Sequence, residues 1–166
     1  MKIQKIIINL LILVDSFLFI YVSTKLDLFL ENYSTLSLTT RSYFLFLFMG
    51  VLSGLIFYFV TLKNTNKKYA LIVLASMYIG TAIPHDISYN LQGNLHLLNA
   101  YLGFIGLEII TYINVFYYNN KHLKYLYFIS LFISVYFYCL NMCVNTIAEL
   151  VIILSNLFIY FVIYNF

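Results

Sequence analysis

The residues best suited to acid–base chemistry lie in one short stretch of an otherwise apolar chain. The segment IPHDISYNLQGNLH, residues 83–96, contains His85, Asp86 and His96, and a further acid, Glu149, lies in the last apolar segment. An imidazole beside a carboxylate can act as a general base or bind a headgroup, because histidine changes protonation near neutral pH. We predict that Asp86 or Glu149 orients or ionises His96, and that the four residues form one polar site.

Two other interpretations of these residues stay open. Side chains at helix ends are ordinarily wetted by water and headgroups, in which case His85 and Asp86 have no chemical role. A metal site is the other interpretation, since two imidazoles and two carboxylates are suitable ligands, although His85 and His96 lack the i, i+4 spacing of a helical zinc site. We expect no cofactor.

Asp15 and Glu108 are a second pair of acids, each deep in an apolar segment. Their predicted depths in the membrane match, and no basic residue within the apolar segments can pair with them. They are expected to be protonated, to bind a cation or water, or to form hydrogen bonds with groups such as Ser16, Asn9 or Asn114. Two interpretations of this pair stay open: neutral acids that join helices by hydrogen bonds, or a proton or ion pathway, which supports an alternative function as a small transporter or channel.

The elements that position these residues are predicted to be long apolar helices. Hydrophobic residues make up 63% of the 166-residue chain and charged residues 9%. The mean hydropathy of +0.93 is higher than that of a soluble globular domain. Because a helix needs about 20 mainly apolar residues to cross the bilayer, we predict an all-α polytopic membrane protein, with one domain of six transmembrane helices. The predicted spans are about 5–26, 42–62, 69–88, 95–117, 123–143 and 146–165. Asn94 is predicted to cap the fourth helix.

The distribution of basic residues predicts the orientation. Seven of the nine fall on one side of the predicted spans: Lys2, Lys5, Lys63, Lys67, Lys68, Lys121 and Lys124. Cytoplasmic loops retain positive charge, so both termini are predicted to be cytoplasmic and residues 83–96 to lie at the outer or lumenal side. The triplet Asn32-Tyr33-Ser34, an N-glycosylation signal, then falls in the first outer loop. The net charge of +3 includes no basic run, which argues against a nucleic-acid partner.

The fourth predicted helix has a face of polar and small residues at three- and four-residue spacing: His96, Asn99, Ala100, Gly103 and Gly106. Small residues allow helix backbones to approach closely, as Gly50 and Gly54 of the second span also do. Such faces fit other membrane helices as well. A structural subunit of a membrane complex is therefore a third possible function.

In the third and fourth spans a short outer turn leads to a helix that begins with His96 and continues with Asn99, Ala100 and Phe104. This hairpin resembles the central hairpin of the Frag, DRAM and Sfk superfamily of six-helix membrane proteins, in which the helix begins with His and continues with a small residue, Ala and Phe. The last span is similar to the family's closing helix in Ala148 and Glu149, with Leu150 in place of an aromatic residue. Pro84 and Asp86 match a Pro-x-Asp found in its uncharacterised bacterial and archaeal relatives.

This resemblance implies association with membrane lipids. The better-understood branches are linked to fatty-acid remodelling of glycosylphosphatidylinositol anchors, to lipid asymmetry of the plasma membrane, and to autophagy or lysosomal signalling. We therefore expect a protein that engages or remodels lipid, or a lipid-linked headgroup, at the outer or lumenal leaflet. If it is an enzyme, acyl transfer or hydrolysis is the expected chemistry, although no serine or cysteine stands out in the sequence as a nucleophile.

Overall fold

The structure is a computed structural model that describes residues 2–38, 40–61, 67–85, 90–141 and 144–165. Within these ranges the chain is helical and has no strand, so the all-α prediction is confirmed. The helices are α1 (Lys2–Ser23), α2 (Thr40–Thr61), α3 (Lys67–Ala82), α4 (Leu91–Tyr117), α5 (Lys121–Asn141) and α6 (Thr146–Asn165). A 3-10 helix, Tyr33–Leu38, lies between α1 and α2.

Five helices in the described ranges are long and apolar enough to cross a membrane: Ile3–Ser23, Ser42–Thr61, Leu91–Tyr117, Lys121–Leu140 and Thr146–Asn165. Large apolar side chains are exposed along these helices, as expected where lipid rather than water surrounds them. This is the architecture of a multi-pass membrane protein. The orientation of the termini stays a prediction.

The third predicted span, about 69–88, differs from the structure. Helix α3 ends at Ala82 and has 16 residues, which gives a rise of about 24 Å against about 30 Å of hydrocarbon. Pro84 accounts for the early end, because a residue that precedes proline is driven out of the helical conformation, and Ile83 forms a bend here. Helix α3 is thus not among the five, and residues 86–89 lie outside the described ranges.

Helix α4 begins at Leu91, four residues before the predicted start. Asn90 accounts for this earlier start, since its Oδ1 accepts a hydrogen bond from the Gly93 N–H at 2.9 Å, as an N-cap residue does. The prediction that Asn94 caps this helix is wrong, because Asn94 lies within the first turn and its N–H donates to the Asn90 carbonyl at 3.0 Å. The remaining predicted spans agree with the helices to within a few residues at each end.

Contacts group the chain into two compact units. Unit 1 comprises the described residues of Met1–Tyr33 and Tyr112–Phe166, and unit 2 those of Ser34–Thr111. In unit 1, α6 packs against both α1 and α5, and in unit 2, α2 packs against α3. The prediction of a single domain stays a prediction.

Helix α1 buries one face in unit 1, with residues four and three apart along the helix: Ile8, Ile12, Asp15, Phe19 and Val22. This spacing keeps the five side chains on one side of the helix. Helix α5 faces α6 with a more polar stripe that includes Ser134, whose hydroxyl donates to the Ala148 carbonyl of α6 at 2.8 Å. A carboxyl and a hydroxyl thus lie within the packed interior of this unit.

Helices α3 and α4 approach each other closely at glycines in unit 2. A Cβ atom built on Gly80 would lie 2.9 Å from the backbone nitrogen of Ala100, and one built on Gly103 would lie 3.0 Å from the backbone nitrogen of Met77. A methyl group does not fit at these separations, so the helices can come this close only with glycine at both positions. The predicted close packing of the small residues on the fourth helix is confirmed.

We expect Gly80→Ala to destabilise the protein by about 1–3 kcal/mol, because the added methyl group overpacks against the backbone of Ala100. Gly54→Ala is the matched control, since there the methyl group would meet the outer end of the Tyr78 ring, which can rotate away. Thermal unfolding in detergent measures both variants. An equal loss of melting temperature in the two would contradict the close approach of α3 and α4.

Candidate functional site

His96 is the centre of a hydrogen-bonded cluster in unit 2. It lies in the second turn of α4, and only 1% of its surface is exposed. Its Nδ1 lies 2.7 Å from the carbonyl oxygen of Ile83, and its Nε2 lies 3.2 Å from the hydroxyl oxygen of Ser34. A buried imidazole needs a partner for each nitrogen, and His96 has both.

These two partners determine which ring nitrogen carries the proton. A carbonyl oxygen only accepts hydrogen bonds, so Nδ1 of His96 is the protonated nitrogen and donates to Ile83. In the neutral ring Nε2 is then an acceptor, and the Ser34 hydroxyl donates to it. The cluster therefore directs a serine hydroxyl at the basic nitrogen of an imidazole whose other nitrogen is held by the backbone.

His85 lies beside this cluster, with its ring centroid 5.2 Å from that of His96. Its backbone N–H donates to the hydroxyl of Ser37 at 2.7 Å, and that hydroxyl donates to the carbonyl of Ser34 at 2.7 Å. The structure thus brings the two histidines together, and both their chemical role and a common site with Glu149 stay predictions. Asp86 lies outside the described residues.

Glu149 lies in unit 1, in the first turn of α6. Its Oε2 accepts a hydrogen bond from the backbone N–H of Tyr33 at 2.8 Å. Nearby, the N–H and the hydroxyl of Thr146 both donate to the carbonyl of Glu31, at 2.6 and 2.8 Å. The first turn of a helix has backbone N–H groups without partners inside the helix, and carbonyl groups of the first loop accept from two of them in α6. Glu149 therefore anchors the first loop to α6.

Tyr33 is buried at the end of this loop in unit 1. Its hydroxyl lies 2.5 Å from that of Ser23 and donates to the Phe19 carbonyl at 3.2 Å, while its ring packs edge-on against Phe19. Burial raises the pKa of Tyr33 to about 12, with an opposing effect of the Ser23 hydrogen bond and a smaller increase from Glu149. The hydroxyl thus stays protonated at neutral pH and remains a hydrogen-bond donor.

His96 and Glu149 belong to different units, and each has partners within its own. Both ring nitrogens of His96 are occupied without a carboxylate, and Glu149 accepts from Tyr33. The orientation of His96 by Glu149 or Asp86 therefore stays a prediction.

Over the described part of the chain, no group of three or more His, Cys, Asp or Glu side chains could hold a metal ion, so the metal interpretation has no site there.

Asp15 in unit 1 and Glu108 in unit 2 are both buried. Two of the predicted partners of these acids have other hydrogen bonds: Asn9 exchanges a pair of amide hydrogen bonds with Asn165, at 3.1 and 2.9 Å, and Ser16 donates to a carbonyl of its own helix. Burial agrees with the expectation that acids in membrane helices avoid lipid. A role for the two acids in transport stays a prediction.

Ser34 is the candidate residue that the sequence-based prediction missed. In the sequence it is only the last residue of the Asn-Tyr-Ser triplet, 62 positions before its partner His96. The one signal that could have drawn attention to it is the number of hydroxyl side chains in the segment YSTLSL, which forms the 3-10 helix. That pattern does not indicate which serine meets an imidazole.

An open groove of about 700 Å³ lies at the turn between α3 and α4, lined by Ala82, Ile83, Pro84, Asn90, Leu91, Gln92 and Leu95. Most of the lining is apolar, with two side-chain amides from Asn90 and Gln92. The Gln92 amide donates to the Pro84 carbonyl at 3.3 Å. Ile83 lines the groove, and its carbonyl also binds Nδ1 of His96. The groove and the imidazole cluster are therefore adjacent at this residue.

Comparison with known proteins adds no relative: no family model, no curated protein and no solved structure matches the chain. The resemblance to the Frag, DRAM and Sfk superfamily therefore stays a prediction. Function must be inferred from the residues and contacts of the chain itself.

Removal of the side-chain acceptor at position 149 tests the loop anchor. In Glu149→Ala the Tyr33 N–H loses its partner, and we expect a loss of about 1–3 kcal/mol in the free energy of unfolding. Glu149→Gln keeps an oxygen in the same place and should retain most of the stability. Thermal unfolding in detergent, together with the rate of protease cleavage within residues 24–32, distinguishes the two. Equal effects of both substitutions would show that this hydrogen bond does not anchor the loop.

Proposed function

We propose that this multi-pass membrane protein engages a membrane lipid at the turn between α3 and α4, on the predicted outer or lumenal side. The observation that carries the proposal is the continuity of the groove with an exposed row of leucines on α4, which we call the leucine row: Leu91, Leu95, Leu98 and Leu102. Their four-, three- and four-residue spacing places them on one face of the helix. The first two also line the groove.

The chemistry of a lipid matches both the groove and the leucine row. The amides of Asn90 and Gln92 can donate hydrogen bonds to phosphate or ester oxygens. The leucine row extends for about 16 Å along α4 and offers an acyl chain an apolar surface. A headgroup in the groove and a chain along the row would therefore occupy positions of the right chemistry.

The groove, rather than the leucine row, is expected to determine which lipid binds. An acyl chain gains little free energy of binding when its contacts with neighbouring lipid tails are replaced by contacts with leucine side chains, because both are equally apolar. The amides, in contrast, distinguish headgroups by the oxygens that these present. We therefore expect selectivity for headgroup and tolerance of chain length.

The Frag, DRAM and Sfk resemblance is part of this proposal, because it implies association with lipid. Two of its matching residues, His96 and Ala100, lie on the helix that carries the leucine row. His96 borders the groove through Ile83, and the backbone of Ala100 contacts Gly80 of α3. The residues that carry the resemblance thus shape the hairpin that holds the groove, which supports a shared lipid-binding role.

Lipid retention tests the proposed function. We expect the protein, purified in mild detergent and exchanged into nanodiscs of phosphatidylcholine, phosphatidylethanolamine and phosphatidylglycerol, to retain one headgroup class preferentially in native mass spectrometry. Leu95→Ser should lower this retention several-fold, because it breaks the continuity of groove and row. Ile20→Ser is the matched control, since Ile20 lies near one end of α1 and is 49% exposed, against 40% for Leu95. Retention without headgroup preference, or equal loss in both variants, would contradict the proposal.

A further inference from the structure

We propose that Ser34 and His96 form a catalytic dyad that cleaves an acyl ester bond. For its substrate this inference rests on the proposed engagement of a lipid, whereas its chemistry rests on the hydrogen-bonded cluster in unit 2. Ser34 is the nucleophile, His96 is the general base and then the general acid, and Ile83 holds the imidazole in position.

The distances fit these roles. The Ser34 hydroxyl oxygen lies 3.2 Å from Nε2 of His96, within the range that allows a base to take the proton of a nucleophile. The Ile83 carbonyl lies 2.7 Å from Nδ1 and sets the tautomer and the ring orientation, the positioning task that a carboxylate performs in a catalytic triad. An imidazole held in this way presents an unprotonated Nε2 to the hydroxyl.

The burial of the two side chains also fits. His96 is almost completely buried, so bulk water does not compete for its Nε2. Ser34 is only half-buried, so that part of it remains accessible to a substrate. Since Ile83 also lines the groove, a lipid that places its headgroup there would bring an ester group toward this side of the cluster.

The reaction balances with water or an alcohol as the only co-reactant. The Ser34 oxygen forms a bond to the ester carbonyl carbon while its proton moves to Nε2 of His96. The ester C–O bond then breaks, the departing alcohol takes that proton, and the acyl group stays on Ser34. Water or a second alcohol attacks the acyl carbon and gives its proton to Nε2. The bond to Ser34 breaks and its oxygen regains the proton, which yields a carboxylic acid or a new ester.

A purely structural role for His96 would require different properties of its side chain. A residue that only fastens the first loop to α3 and α4 needs hydrogen bonds, but it does not need a basic nitrogen. His96→Asn separates the two roles, because the asparagine amide can still donate to Ile83 and has no base. Ser16 is the control for Ser34, since it is also a half-buried serine and its hydroxyl donates to a carbonyl of its own helix, away from the His96 cluster.

A fluorophosphonate probe tests the dyad on the full chain in nanodiscs, with peptide mass spectrometry to identify the labelled residue. We expect labelling at Ser34, no labelling there in Ser34→Ala, and a rate about 10²–10⁴-fold lower in His96→Asn. Ser16→Ala should be labelled at Ser34 at the wild-type rate. Absence of label from the folded wild type, or equal rates in wild type and His96→Asn, would overturn the dyad.

A cysteine variant keeps the test decisive if Ser34→Ala does not fold. In Ser34→Cys, Nε2 of His96 can accept the thiol proton and raise the thiolate fraction. We expect iodoacetamide to modify this cysteine faster than in the double variant that also carries His96→Asn. Equal rates at matched melting temperatures would overturn the assignment of His96 as the base.

Lipid retention and ester cleavage, measured on the same preparations, separate this inference from the proposed function. Fatty acid released from vesicles of phosphatidylcholine and phosphatidylglycerol by the wild type, and not by Ser34→Ala, supports both. Retained lipid with no probe label at Ser34 overturns the dyad and leaves lipid engagement standing. Label at Ser34 without retained lipid supports the dyad and overturns the proposed function.

Discussion

A polar side chain that is partly or fully buried in an apolar helical protein must find its hydrogen-bond partner within the protein, and here the first loop supplies such partners. Glu149 accepts from Tyr33 in unit 1, and His96 binds Ser34 in unit 2. Two consecutive residues of the chain thus each provide a group to a different helix. Without them Oε2 of Glu149 and Nε2 of His96 would be left without a partner, which costs several kcal/mol where water is scarce. Glu149 thus binds one residue of the first loop in unit 1, and His96 binds the next residue in unit 2.

The arrangement around His96 can be traced to Pro84. Proline ends α3, and the last carbonyl groups of a helix have no partner in the next turn. The Ala82 carbonyl accepts from the Tyr43 hydroxyl, and the Ile83 carbonyl accepts from His96. That second hydrogen bond places the proton on Nδ1 and leaves Nε2 basic. The end of α3 thus determines which ring nitrogen of His96, on α4, is basic.

The helical part of the fold could be predicted because a long apolar run must satisfy its own backbone hydrogen bonds in lipid. Helix α6 has the predicted bounds, whereas α3 was predicted too long because hydropathy takes no account of the conformational effect of Pro84. His96 could be singled out because a polar residue on an apolar helix requires a partner. Ser34 could not be singled out, because its contact with His96 joins residues 62 positions apart. That contact depends on the path of a loop, which the spacing of apolar residues does not predict.

The position of the proton on His96 decides whether Ser34 faces a base. Nitrogen-15 NMR of the protein with labelled histidine, at about pH 8 where imidazoles are ordinarily neutral, reports this position directly for the three histidines. His96→Asn identifies the signals of His96. The expected result is a ring protonated at Nδ1, with an Nε2 signal that shifts in Ser34→Ala. A ring protonated at Nε2, or an Nε2 signal that Ser34→Ala leaves unchanged, would contradict the assigned hydrogen bonds and with them the dyad.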